Sequence, residues 1–342
     1  MSPATPPEVT EHVASSQRHT TAYLACLADE HLTTPIIFVH GWPELSWSWR
    51  HQMPYFAALG YRTYAPDMRG YGNSSVYQQQ SDYAQQHVVA DMVELLDHLG
   101  ADQAIWVGHD WGSPTVWSLA THHPDRCRAI ANLCVPFNTL ERGWAGLLPY
   151  IDRSLYPEDE YPAGQWEYQL YYAEAFAEAT ATFDSDPYKV AKLMFRRGNP
   201  EGQGKVSGTA LTRKNGGWFG GDIPDLPRDD SVVSEEDLTR YAQALKKNTF
   251  FGPDSYYVNH DANAAYYNEA VRHDIDLPVL FLHARYDYTC ETLVSNMAEP
   301  MRAGCHNLTE QVVDSGHWMA QEQPDMVNQH LHAWLTQQQL SP

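Results

Sequence analysis

The sequence predicts an α/β protein: a mostly parallel central sheet with helices on both faces, interrupted by a long helical insertion. Three observations predict it. Short, continuous apolar runs recur along the chain, as strands buried on both faces require. Amphipathic stretches of helical period lie between them, and that alternation implies parallel strands joined by crossover helices. The alternation then breaks between about Phe137 and Val271, where aromatic helical segments replace the apolar runs.

Taken in order, residues 1–19 are rich in Pro, Thr and Ser and read as a loose tail. The core is expected over 20–136 and 272–342, with a helical cap over 137–271. Strand runs stand at 36–40 (IIFVH), 61–67 (YRTYAPD), 104–109 (AIWVGH) and 129–135 (AIANLCV), then at 278–284 (PVLFLHA) and 308–314 (LTEQVVD). The stretch 83–100 places Val88, Met92, Leu95, Leu96 and Leu99 on one helical face and ends at Gly100, a C-cap signal. A short helix over 113–124 stops before Pro124, and an amphipathic helix closes the chain over 323–339. Within the insertion, helical segments are expected at 165–180, 186–198, 234–248 and 253–271.

Composition removes several function classes. The chain has 342 residues, enough for a sizeable core, and 43% of them are apolar. Its net charge is -21 and no basic run stands out, which argues against nucleic acid and anionic membrane surfaces as partners. No window is long and apolar enough for a membrane span. The amino terminus lacks the basic and apolar regions of a secretory signal. Five cysteines, an odd number without a C-x-x-C pair, fit reduced thiols in the cytoplasm. The 21 Tyr and 11 Trp serve cores, and they also line pockets for apolar ligands.

In an open parallel sheet, ligand sites lie beyond the carboxyl ends of the strands. After the third run comes Gly108-His109-Asp110-Trp111-Gly112. This is the spacing of a nucleophile elbow, with a carboxylate in the central place. An Asp there also makes a good helix N-cap. Its neighbours favour chemistry. Asp287 follows the run at 278–284, and His317 follows the one at 308–314. Nucleophile, acid and histidine thus come in triad order, each just past a strand. A carboxylate nucleophile attacks carbon without losing a proton and leaves an ester. The absence of Ser or Cys from the elbow disfavours an ordinary esterase. The backbone N–H groups of Trp42, after the first run, and of Trp111 are candidate oxyanion donors. GNPEGQGKVS (198–207) only imitates a phosphate loop, because Asn199 and Val206 stand where Gly and Ser/Thr belong. No zinc-ligand spacing is present among the histidines.

Together HGWP (40–43), GHDWG (108–112), the Asp287 segment and SGHW (315–318) resemble the soluble α/β-hydrolase-fold epoxide hydrolases. The resemblance spans about residues 20 to 337. It implies that Asp110, Asp287 and His317 form the catalytic triad, that an apolar epoxide and water are the substrates, and that no metal or organic cofactor takes part. It also implies two cap tyrosines that hold the epoxide oxygen. EYQLYY points to Tyr168, with Tyr171 and Tyr172 on the same helical face. FGPDSYYVN points to Tyr257, with Tyr256 beside it. His40, Pro43 and Trp318 are expected to line the substrate pocket. The alternatives are a haloalkane or haloacid dehalogenase on the same triad, and a non-catalytic ligand-binding relative.

Overall fold

The computed structural model describes residues 8–27 and 34–342. Its centre is an eight-stranded sheet in the order β1-β2-β4-β3-β5-β6-β7-β8. The strands are β1 (Val9–Ser15), β2 (Thr20–Cys26), β3 (Ile36–Val39), β4 (Thr63–Pro66), β5 (Ala104–His109), β6 (Cys127–Leu133), β7 (Ile275–Ala284) and β8 (Cys305–Val313). From β4 to β8 every pairing is parallel. Every residue of β3 and β5 is buried, which is why both read as unbroken apolar runs.

The amino-terminal strands depart from the expectation. Residues 9–15 fall in the stretch read as a loose tail, yet they form β1, paired antiparallel with β2 from Val9↔Cys26 to Ser15↔Thr20. Residues 1–7 lie outside the described residues. β1 is an edge strand with only Ala14 fully buried, so its stability comes from ladder hydrogen bonds more than from burial. An edge strand of that kind leaves little apolar signal. β2 in turn pairs antiparallel with β4.

Helices α1 (Gln52–Ala58), α2 (Gln85–His98) and α3 (Gly112–His122) connect the first half of the sheet. Among the described residues, no strand occurs between β6 and β7. That interval holds α4 (Trp144–Leu147), α5 (Glu167–Ser185), α6 (Pro187–Met194), α7 (Glu235–Asn248), α8 (Phe251–Ser255) and α9 (His260–Asn268), the inserted helical cap. Helix α7 opens on a capping box, in which Ser234 and Asp237 satisfy each other's backbone N–H groups. Helix α5 is broken at Ala175, whose φ of -140° and ψ of 47° are not helical. The chain returns through β7, α10 (Glu299–Gly304), β8, α11 (Met319–Glu322) and α12 (Pro324–Gln337). No helix among the described residues is long and apolar enough to cross a membrane. All five cysteines are free and buried.

Candidate active site

The site begins at the turn between β5 and α3. Asp110 has a φ of 50°, a left-handed conformation that non-glycine residues adopt only where the surroundings impose it. Glycines on either side make the turn sharp. A Cβ at Gly112 would run into the carbonyl oxygen of Val39, and one at Gly108 into the side chain of Asn132. Helix α3 has no side-chain cap, so the Asp110 carboxylate is not spent as one. Its Oδ1 accepts the backbone N–H of Trp42 at 2.6 Å. A Cβ at Gly41 would strike both Asp110 Oδ1 and the backbone nitrogen of Trp111, which shows how closely the carboxylate and the two N–H groups gather there.

The loops after β7 and β8 complete the arrangement. His317 Nδ1 lies 2.5 Å from Asp287 Oδ2, and His317 Nε2 lies 3.3 Å from Asp110 Oδ2. Asp287 Oδ1 also accepts the N–H groups of Thr289 at 3.1 Å and Cys290 at 3.0 Å. Burial disfavours charge on His317, but Asp287 and Asp110 outweigh it and hold the imidazole well above its usual pKa. Burial likewise opposes the Asp287 charge, and His317 with the two N–H groups keeps it below the usual carboxylate range.

Behind the triad lies a buried pair that sequence reading passed over. His109 Nδ1 is 2.7 Å from Glu44 Oε2, and His109 Nε2 is 2.7 Å from the His317 carbonyl oxygen. Glu44 also accepts the Gly41 N–H at 3.0 Å. Desolvation works against both charges, yet each partner stabilises the other, raising His109 to about 10 and lowering Glu44 to about 2. An imidazolium donating through both nitrogens therefore fixes the backbone of His317 and the loop that carries Trp42. His109 stands inside the GHDWG motif and Glu44 directly after HGWP. Nothing in their spacing announced that they meet.

Asp110, Trp42, Trp111, His317, Tyr168 and Tyr257 all line one chamber of about 170 Å³. Tyr168 and Tyr257 face each other with ring centroids 5.4 Å apart. Burial, reinforced by Asp110 among others, pushes both phenols well above 10, so both keep their protons. The neighbouring tyrosines are committed elsewhere. Tyr172 donates to Asp254 at 3.1 Å, and Tyr256 donates to the Arg69 carbonyl at 3.1 Å. Tyr171 lies outside the lining, its hydroxyl near Gly217.

Trp318 is in the chamber wall, with its indole N–H on the Met194 carbonyl. His40 and Pro43 are not, contrary to the expectation from the HGWP motif. His40 is fully buried and both its ring nitrogens serve the backbone, at 2.9 Å from the Gly41 oxygen and 3.0 Å from the Met68 nitrogen. Pro43 is buried in the same turn. The sequence reading also missed Trp218, a chamber residue from an irregular cap loop whose ring is 5.5 Å from that of Tyr168. An open vestibule of about 540 Å³, flanked by Arg197 and Tyr288, shares Trp218, His317 and Trp318 with the chamber. A wider groove of about 960 Å³ between β1–β2 and α7 contains none of the triad, so the chemistry belongs to the smaller chamber.

A carboxylate on a strained elbow, a histidine–aspartate pair facing it and a mixed α/β sheet define a class. The family described as alpha/beta hydrolase fold matches over residues 34–324. Epoxide hydrolase A of Mycobacterium tuberculosis is 32% identical over 305 residues, covering 88% of this chain and 90% of its own. Bifunctional epoxide hydrolase 2 of Rattus norvegicus is 32% identical over 303 residues, 88% of this chain but 51% of the rat protein. The chain thus spans about half the length of that relative. The crystal structure of epoxide hydrolase A from Mycobacterium thermoresistibile is similar with a TM-score of 0.78 and 29% identity, over 96% of this chain and 98% of that one. The chain belongs to the α/β-hydrolase fold family. Within that family it stands with the epoxide hydrolases.

The Glu44–His109 pair generates a stability test. The raised His109 pKa contributes stability that is complete below its usual 6.5 and lost as pH rises through about 10. The lowered Glu44 pKa contributes stability that is complete above its usual 4.5 and lost as pH falls through about 2. Glu44→Gln is therefore expected to destabilise the protein most between those usual values, by roughly 3–5 kcal/mol, as when one partner of a buried pair is removed. Thermal unfolding across pH checks this; a deficit that grows toward pH 10 contradicts it.

Proposed function

We propose that this protein hydrolyses epoxides to vicinal diols through an Asp110 ester. The observation that carries the reading is the asymmetric placement of the Asp110 carboxylate beneath two protonated phenols. Oδ1 is tied to the Trp42 N–H at 2.6 Å, so Oδ2, 3.3 Å from His317 Nε2, is the oxygen that attacks a ring carbon. Tyr168 and Tyr257 hydrogen-bond the ring oxygen, and one of them gives it a proton as the C–O bond breaks. General-acid help of this kind is worth about 10²–10⁴-fold.

Charge then decides the second step. At rest His317 is an imidazolium between two carboxylates, unable to act as a base. Esterification removes the Asp110 charge and lowers the proton affinity of His317. The proton it releases restores the phenol. Neutral His317, held by Asp287, now takes a proton from water, and the hydroxide attacks the ester carbonyl carbon. The oxyanion forms on Oδ1, already hydrogen-bonded to the Trp42 N–H, with the Trp111 N–H as the second donor; each such donor is typically worth about 2.7–4 kcal/mol. Collapse breaks the bond from the acyl carbon to Oδ2, the hydroxyl just added gives its proton to the departing alkoxide to complete the diol, and the site returns to Asp110 carboxylate and His317 imidazolium. Every proton is accounted for, and the chain's own residues supply each transfer.

The residues 137–271 serve as the lid that brings the tyrosines over the carboxylate. A chamber of about 170 Å³ walled by Trp42, Trp111, Trp218 and Trp318 favours compact apolar epoxides, with longer substituents reaching into the vestibule.

Four outcomes follow. Incubation with styrene oxide should yield diol, and haloalkanes should release no halide; halide without diol would overturn the reading. Asp110→Ala should abolish turnover, while His317→Gln should stall with substrate mass added to the protein; absence of that adduct by intact mass spectrometry sinks the two-step scheme. The combined Tyr168→Phe and Tyr257→Phe variant should slow ester formation by about 10²–10⁴-fold. Finally, His317 should titrate at lower pH in Asp110→Asn than in the unaltered protein, because the amide mimics the uncharged ester. Histidine NMR shifts followed against pH measure this, and an unchanged titration refutes the charge logic.

A further inference from the structure

We infer that Asp254 is a positioning residue: a buried carboxyl that ties the Trp42 loop of the core to both halves of the broken helix α5, and so sets where Tyr257 stands over Asp110. The inference rests on the roles of Asp110 and Tyr257 proposed above. Asp254 belongs to α8, three residues before Tyr257, and is wholly buried. Its Oδ1 accepts the Trp42 indole N–H at 2.9 Å and the Tyr172 hydroxyl at 3.1 Å. Its Oδ2 is hydrogen-bonded to the Thr180 hydroxyl at 3.1 Å.

Those three partners come from the loop after β3 and from either side of the break in α5. Trp42 belongs to the loop after β3, and its backbone N–H grips the nucleophile at 2.6 Å. Tyr172 precedes the break at Ala175 and Thr180 follows it. Tyr172 stacks on Tyr257 with centroids 5.0 Å apart and planes 8° from parallel, and the Trp42 ring meets Tyr257 edge-on at 6.0 Å. One carboxyl thus links the nucleophile, through Trp42, to the acid tyrosine, through Tyr172. It bridges the break in α5 with hydrogen bonds, alongside the ring of Trp218, which packs on Tyr172 before the break and Phe183 after it.

A carboxyl is a costly group to bury, and packing alone would be served by an apolar side chain of similar size. What an apolar side chain cannot do is hold the Trp42 N–H and the Tyr172 and Thr180 hydroxyls together by hydrogen bonds. Burial, with Asp184 nearby, moves the Asp254 pKa up to about 8 against the three hydrogen bonds that lower it. A neutral carboxyl accepts through Oδ1 and can share its own proton with Thr180. An asparagine reproduces that pattern, and a leucine does not.

The test is a rapid-mixing experiment with styrene oxide that times ester formation and ester hydrolysis separately, by quenched-flow intact mass. Misplacement of reacting groups by about 1 Å can cost 10²-fold, so Asp254→Leu should slow ester formation by roughly ten- to a hundredfold. Hydrolysis of the ester, which uses the Trp42 N–H but not Tyr257, should slow less than ester formation does. Asp254→Asn should recover most of the loss. A purely structural role would lower the melting temperature and leave ester formation per folded molecule unchanged; that result overturns the inference. If Asp254→Leu does not fold, Tyr172→Phe and Thr180→Val each remove one tie, and native rates in both overturn it as well. Absence of any ester in the unaltered protein would instead refute the proposed function itself.

Discussion

The close approach of the β5–α3 turn to the end of β3 is the constraint on which the rest depends. Gly112 lies so near the Val39 carbonyl that no side chain fits between them. Because the helix starts that close, Asp110 must pass through a left-handed conformation to leave the strand. Its carboxylate is thereby lifted out of the sheet and delivered to the Trp42 N–H. Backbone strain of this kind costs of order 1–3 kcal/mol and persists only where the surroundings over-determine it. Here strands buried on both faces supply that determination.

Electrostatics is layered on this geometry. Two histidines, His109 buried and His317 half-buried, lie side by side, ring centroids 4.7 Å apart, and each has a carboxylate of its own. Glu44 serves His109 and Asp287 serves His317. The two pairs do different work. His109 is locked between Glu44 and a backbone carbonyl, so it stays charged at neutral pH and its effect is to hold loops. His317 faces a carboxylate whose charge comes and goes in the proposed cycle, so its proton can move. A residue type with one ordinary pKa thus takes two roles from its neighbours alone.

Much of this was legible in the residues. The runs at 104–109 and 36–40 are strands because helices cover both faces, and burial on both sides leaves an unbroken apolar signature. Asp110, Asp287 and His317 were found by their position after such runs. What escaped has a shared cause. β1 is stabilised by backbone pairing, which carries no side-chain code. His40 looked like a pocket residue by its place in a motif, but a buried imidazole can equally serve two backbone groups. Trp218 and Asp254 matter through contacts with residues far along the chain, and no periodicity records such a meeting.

The grip of Trp42 on one oxygen of Asp110 has a consequence for the provenance of atoms. If Oδ1 never leaves the oxyanion site, it is Oδ2 that departs with the diol, and water refills the vacancy on the carboxylate. The oxygen that each product molecule carries away was then taken from solvent one cycle earlier. The protein would hold a one-atom memory, and the first diol made after a change of solvent would still bear the isotope of the old one.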